Sequence, residues 1–113
     1  MPDDVYARFR SLCLALPASA EVSAWGHPTF RVNNKMFAAI GGDDSGISMS
    51  VKATLDEQSE IIQKPGWRKA HYVGKHGWVS YDFGDDDDWA LIQTLVERSW
   101  GYVAPKRLTR ERA

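Results

Sequence analysis

Three histidines, one cysteine and a run of four aspartates are the residues of this chain whose types could support chemistry. His27, His71 and His76 do not stand four positions from another ligand in a helical stretch, so their spacing builds no metal centre. Asp85 to Asp88 lacks the glycine and terminal glutamate of a calcium loop, and the positive end of the helix it precedes accounts for it. Cys13 falls on an apolar helix face with no histidine or acid four residues away, which makes it a packing residue rather than a nucleophile. His27, between Gly26 and Pro28, reads first as holding a bend through a backbone hydrogen bond and only second as a base. No glycine-rich phosphate loop, Gly-x-Ser-x-Gly elbow or Cys/His pair occurs, so no residue is assigned to catalysis, to a metal or to a cofactor. What remains is the basic and aromatic stretch KPGWRKAHYVGKHGWVSYDF, Lys64 to Phe83, which concentrates cations, indoles and turn signals.

The elements that must position that stretch follow from periodicity. Trp67 to Val73 and Trp78 to Phe83 read as two strands of a β-hairpin, joined by Gly74-Lys75-His76-Gly77. Ahead of it, Val5, Phe9, Leu12, Cys13 and Leu16 recur at helical spacing, capped by Asp3 or Asp4 and stopped by Pro17. From Glu21 to Lys52 the pattern alternates, with breaks at Gly26-His27-Pro28, Asn33-Asn34 and Gly41 to Gly46, giving a three-strand antiparallel meander. Lys35 to Ile40 is apolar on both sides beyond its lysine, as in a central strand. Thr54 and Glu57 form a capping box that starts a helix from Leu55 to about Gln63. A last helix runs from Asp87 to Tyr102 with Trp89, Ile92, Val96 and Ser99 or Val103 inward, and Pro105 ends it. The resulting class is α+β: a two-layer sandwich in the order helix, three strands, helix, two strands, helix, with helices on one face of an antiparallel sheet of about five strands. Residues 1–104 make one domain, and Lys106, Arg107, Arg110 and Arg112 belong to a basic tail over 105–113.

Composition narrows the function. A chain of 113 residues with 43% hydrophobic side chains fits one domain with one core. A formal charge of −1 and a pI near 6.3 exclude a globally basic nucleic-acid binder and leave room for a local patch. One cysteine allows no intrachain disulfide, and no apolar run is long enough for a signal peptide or membrane span, so a cytoplasmic monomer without a membrane partner is expected.

The sheet face away from the helices carries the functional reading. If Val79, Tyr81 and Phe83 point inward, Trp78, Ser80 and Asp82 point outward and join Thr29, Arg31, Ser48, Ser50 and Lys52, with either Lys69 and His71 or Arg68 and Tyr72. Trp25, Trp67, Trp89 and Trp100 read as packing, and Trp78 as the exposed indole.

Several stretches in order also resemble one family. WGHPTFRV at Trp25 to Val32, KMFA at Lys35 to Ala38, PGW at Pro65 to Trp67, YVGKHGWVS at Tyr72 to Ser80 and ERSW at Glu97 to Trp100 are similar to the MmcQ/YjbR-like proteins. The resemblance covers nearly the whole chain. It implies a small bacterial cytoplasmic domain with a frataxin-like sandwich of the double-wing DNA-binding type, with wings at Asn33-Asn34-Lys35 and Lys75-His76. Trp100 stands where the family often has tyrosine, and Asp85 to Asp88 is unusually acidic. Iron binding does not come with the frataxin-like fold, because the first helix has only Asp3 and Asp4 in place of an acidic ridge.

Two functions follow. The first is a non-enzymatic DNA-binding module using Arg31, Lys35, Lys52, Lys69, Lys75, His76 and Trp78, where cations meet phosphate and an indole stacks on bases. The alternative is a domain binding a small molecule or a protein partner through a pocket at His27, His71, Trp78 and Ser80.

Overall fold

The computed structural model describes residues 3–43 and 45–112. Helix α1 spans Asp3–Leu14 and buries Phe9 and Cys13, with Leu16 just beyond its end, because these residues lie at offsets of three, four and seven. The capping side chain expected of Asp3 lies outside the described residues. Burial pushes the Cys13 thiol far above its ordinary pKa, which keeps it protonated and unreactive.

Four strands follow in place of the three expected: β1 (Ser19–Ala24), β2 (His27–Val32), β3 (Lys35–Asp43) and β4 (Gly46–Val51). The added strand is β1, joined to β2 by a two-residue turn in which Trp25 and Gly26 hold φ of 50° and 80°. Tryptophan seldom takes positive φ, which is why Gly26-His27-Pro28 looks like a break. Pro28 is nevertheless within β2. Ala24 and His27 close the turn, so the Pro28 nitrogen points to the β3 side, where the register ends at Thr29, and the absent N–H leaves no ladder bond unmade. Asn33 and Asn34 form the expected turn, with φ of 51° and 62°. Between β2 and β3 the register passes from Phe30↔Ala38 to Arg31↔Met36, so Phe37 is the extra residue of a β-bulge.

Thr54 and Glu57 do cap helix α2 (Leu55–Ile61), the Thr54 hydroxyl accepting from the Glu57 N–H at 3.1 Å and the Glu57 carboxylate from the Thr54 N–H at 3.0 Å. The Glu57 carboxylate also accepts from the Tyr102 hydroxyl at 2.6 Å and pairs with Arg98 at 3.1 Å, both on helix α3 (Trp89–Val103). Burial alone would raise the Glu57 pKa, but hydrogen bonds from Tyr102 and Thr54, with the Arg98 charge, hold it below the ordinary 4.5. A depressed carboxyl stabilises the fold above its unfolded pKa and loses that contribution as pH falls through the folded value. Glu57→Gln is therefore expected to cost about 1 kcal/mol near neutral pH and progressively less as pH falls through the folded value, as urea unfolding at one neutral and one acidic pH would measure. Equal losses at both would refute the linkage.

The central hairpin differs from expectation. Its first strand, β5, is only Trp67–Lys69, and the second, β6, is Val79–Asp82; Ala70 to Trp78 form a longer connection containing a short 3₁₀ turn at Gly74–His76. The six strands are ordered β1-β2-β3-β4-β6-β5, every neighbour antiparallel. Helices α1 and α3 cover one face, where Phe30, Phe37, Ile40, Met49 and Val79 meet Phe9, Ile92, Val96 and Trp100. Asp88 caps α3 by accepting from the Leu91 N–H, and Asp87 ties down the loop before it by accepting from the Gly84 N–H and the Tyr81 hydroxyl. Burial and that bond to Asp87 push the Tyr81 phenol up to about 12. Leu95 and Trp100 are buried on α3 besides the expected Ile92, Val96 and Ser99, whereas Trp89 is only partly buried, stacked on Phe83 with Arg8 over its ring. The basic segment after Pro105 is not a free tail: Lys106–Arg112 forms helix α4, because Leu108 is buried in the core cluster. Among the described residues no helix is long and apolar enough to cross a membrane.

Candidate functional site

Register alone places the outward-facing side chains in rows. One row crosses the sheet as Thr29, Ala39, Ser50, Ser80 and Arg68, and a neighbouring row includes Gly41, Ser48 and Asp82. Small side chains dominate, so the middle of this face is a depression. The β1–β2 turn contributes Trp25 and His27 to its rim, and the 70–78 connection folds over from the β5–β6 side with Ala70, His71, Tyr72, Val73 and Trp78. Together they enclose a mostly apolar cleft of about 610 Å³, floored by Met36, Ala39, Ser48, Ser50 and Ser80 with Arg68 in its wall. A smaller recess of about 150 Å³ continues it beneath His27 toward Gly41.

The folded-over connection is held from below. Gln58, buried on α2, donates through Nε2 to the carbonyls of Gly74 at 2.7 Å and Trp78 at 2.9 Å. The Ala70 N–H adds a bond to the Trp78 carbonyl at 3.2 Å. The connection therefore closes onto Trp78, which is 7% exposed and not the free platform expected of it. The most exposed aromatics among the described residues are Trp25 at 84% and Tyr72 at 96%. Both hold positive φ, 50° and 63°, and both line the cleft. Trp25 was expected in packing; its place at a turn with φ > 0 projects the ring into solvent instead.

Polar groups sit in the same row of the floor and wall. The Ser50 and Ser80 hydroxyls are 2.7 Å apart, so one donates to the other and the acceptor's own hydrogen remains free. Arg68 spends Nε and Nη2 on the Asp82 carboxylate at 3.2 and 3.1 Å. Its Nη1 is buried with no partner, the one such side-chain atom among the described residues. An unpaired buried donor costs about 1–3 kcal/mol or more, so this nitrogen has a reason to take an acceptor.

The structure brings His27, His71, Trp78 and Ser80 into one cavity, as a pocket there requires. The cations expected to meet phosphate are spread more widely. Lys69 and Lys75 share a shallow groove beside Tyr72 and Gln58. Arg31 and Lys35 stand on the β2–β3 hairpin, where Arg31 Nε donates to the Thr29 hydroxyl at 3.3 Å, and Lys52 follows β4. Lys75 and His76 occupy the 3₁₀ turn, not a hairpin tip, so only Asn33-Asn34-Lys35 has the shape of a wing. Sequence reasoning missed Trp25, Gln58 and Ala39 as cleft builders; a buried glutamine inside an otherwise ordinary helix leaves no periodic signal. Among the described residues no three of His, Cys, Asp and Glu gather closely enough to hold a metal ion.

Solved structures of other proteins share this architecture. The Deinococcus radiodurans protein DR2400, a DUF419 domain, superposes with a TM-score of 0.76 at 21% identity, over 90% of this chain and 83% of its own. A protein from Pseudomonas syringae gives 0.66 at 19% identity, over 75% of this chain and 86% of its own. At such identities the likeness is one of fold. No curated protein matches the chain. The YjbR family model matches residues 14–101, which take in all six strands, the folded-over connection, α2 and most of α3, and the chain belongs to the YjbR family.

Proposed function

We propose that this domain binds a small molecule in the cleft between the open sheet face and the 70–78 connection. The observation that carries the reading is convergence: two histidines, two indoles, a tyrosine and three serines from five separate segments line one mostly apolar cavity of about 610 Å³. That size and balance of apolar wall with few polar groups is what ligand sites share. A direct test uses 2-acetylnaphthalene, a flat apolar probe, followed by amide and indole NMR shifts. Signals of Ala39, Ser50 and the Trp78 indole are expected to move together. Ala39→Phe, which fills the floor, is expected to weaken the probe by about tenfold or more with little change in melting temperature. If no shift maps to the cleft, this reading is wrong.

A nucleic-acid reading has its own support in Lys69 and Lys75, which line one groove beside the exposed Tyr72. Phosphates neutralised there would release counterions, so affinity for duplex or single strand would fall steeply between low and physiological salt. Lys75→Glu would then weaken binding about tenfold further at low salt. Absence of binding at low salt removes this reading and leaves the cleft untouched.

A further inference from the structure

We infer that the ligand of this cleft is a flat apolar molecule bearing an acceptor oxygen, a carbonyl or carboxylate, which lies against Arg68 and the Ser50–Ser80 pair. The inference rests on the binding role proposed above and adds what the site reads. Two donors in the row are unspent: Arg68 Nη1, buried without a partner, and the free hydrogen of the serine pair. Register puts them side by side, since Arg68 pairs with Ser80 and Ser80 with Ser50. Arg68 and both serines line the mostly apolar cleft and Nη1 is itself shut off from water, so a donor there gains most from an acceptor because water competes least. Asp82 already balances the Arg68 charge through Nε and Nη2, so the cleft calls for an acceptor oxygen without requiring a full anion. A ligand presenting only donors at this point, such as an ammonium, would leave Arg68 Nη1 without an acceptor, which disfavours protonated amines. The rest of the ligand meets rings. Trp25 and Tyr72 stand exposed at the rim with Trp78 in the wall, and flat apolar surface gains most by lying against such faces.

The experiment compares three naphthalenes of nearly equal shape on the full chain: 2-acetylnaphthalene, 2-naphthoate and 2-ethylnaphthalene, each titrated by amide NMR and tryptophan fluorescence. The acetyl compound, the naphthoate or both are expected to bind about tenfold tighter than the ethyl compound, which lacks the oxygen. Arg68→Met and, separately, Ser80→Ala are expected to remove most of that difference while leaving the affinity for 2-ethylnaphthalene within about twofold. The second variant keeps the test sound should the first disturb the sheet edge. Acetyl preferred over naphthoate assigns a carbonyl, and the reverse order assigns a carboxylate. Equal affinity for all three, or a preference that survives both substitutions, overturns the inference while the cleft stands as a binding site. If none of the three shifts a cleft signal, the binding reading itself falls and this inference falls with it.

Discussion

Gly77→Ala is expected to lower the unfolding free energy by about 3 kcal/mol or to prevent folding, the largest single-residue effect expected for this chain. Gly77 holds φ of +96°, a conformation costly for any residue with a Cβ. Space compounds the strain. An added Cβ would lie 2.3 Å from the Ala53 carbonyl oxygen, a backbone atom that cannot swing aside. Its place explains why the approach is so close: Gly77 ends the 3₁₀ turn and returns the chain to Trp78, packed on the segment that leads into α2. The matched control is Gly101→Ala, in the exposed part of α3, where the new Cβ meets nothing within 4 Å. That change is expected to raise stability by about 0.5–1 kcal/mol, so the two variants should move the urea midpoint in opposite directions. A Gly77→Ala protein as stable as the parent would show that the 70–78 connection does not hold the path described.

Ser99→Ala comes next, at about 3 kcal/mol. The Ser99 side chain is fully buried, donating to the Phe37 carbonyl at 2.6 Å and accepting from the Lys52 N–H at 2.9 Å. One hydroxyl thus fastens α3 to two strands, and truncation strands a carbonyl on β3 and an N–H just past β4 where water cannot reach them. Its neighbour Trp100 donates Nε1 to the Pro17 carbonyl at 3.1 Å, so the Ser-Trp pair of ERSW holds the helix to both the sheet and the end of α1. Chemical denaturation of Ser99→Ala should give a lower midpoint at unchanged slope. A loss below about 1 kcal/mol would mean that water replaces the hydroxyl.

Much of this arrangement is legible in the residues. The alternation of Ile47, Met49 and Val51, the Asn33-Asn34 turn, the Thr54–Glu57 box and the inward set of α3 each follow from a local rule that tertiary packing does not override. His27, His71, Trp78 and Ser80 could be grouped because period-two alternation and a shared sheet face bring together residues far apart in the chain. What escaped depends on exceptions. β1 was hidden by a tryptophan at positive φ, and the true length of the 70–78 connection by a tyrosine doing the same, where turn rules look for glycine or asparagine. Helix α4 was hidden because a single leucine among charges, Leu108, carries its contact with the core. The burial of Trp78 depends on Gln58, whose two bonds reach sixteen and twenty residues along the chain.

The bulge at Phe37 gives β3 an unusual economy. Ordinary alternation would oblige neighbouring positions to serve opposite sides, yet Phe37 and Ala38 both enter the interior while Met36 and Ala39 both line the cleft. A one-residue deletion at that point would thin the interior and leave the phase of the cleft lining as it is. Length can therefore change at residue 37 alone without moving the outward row, whereas a deletion elsewhere in β3 would turn every later side chain to the other face.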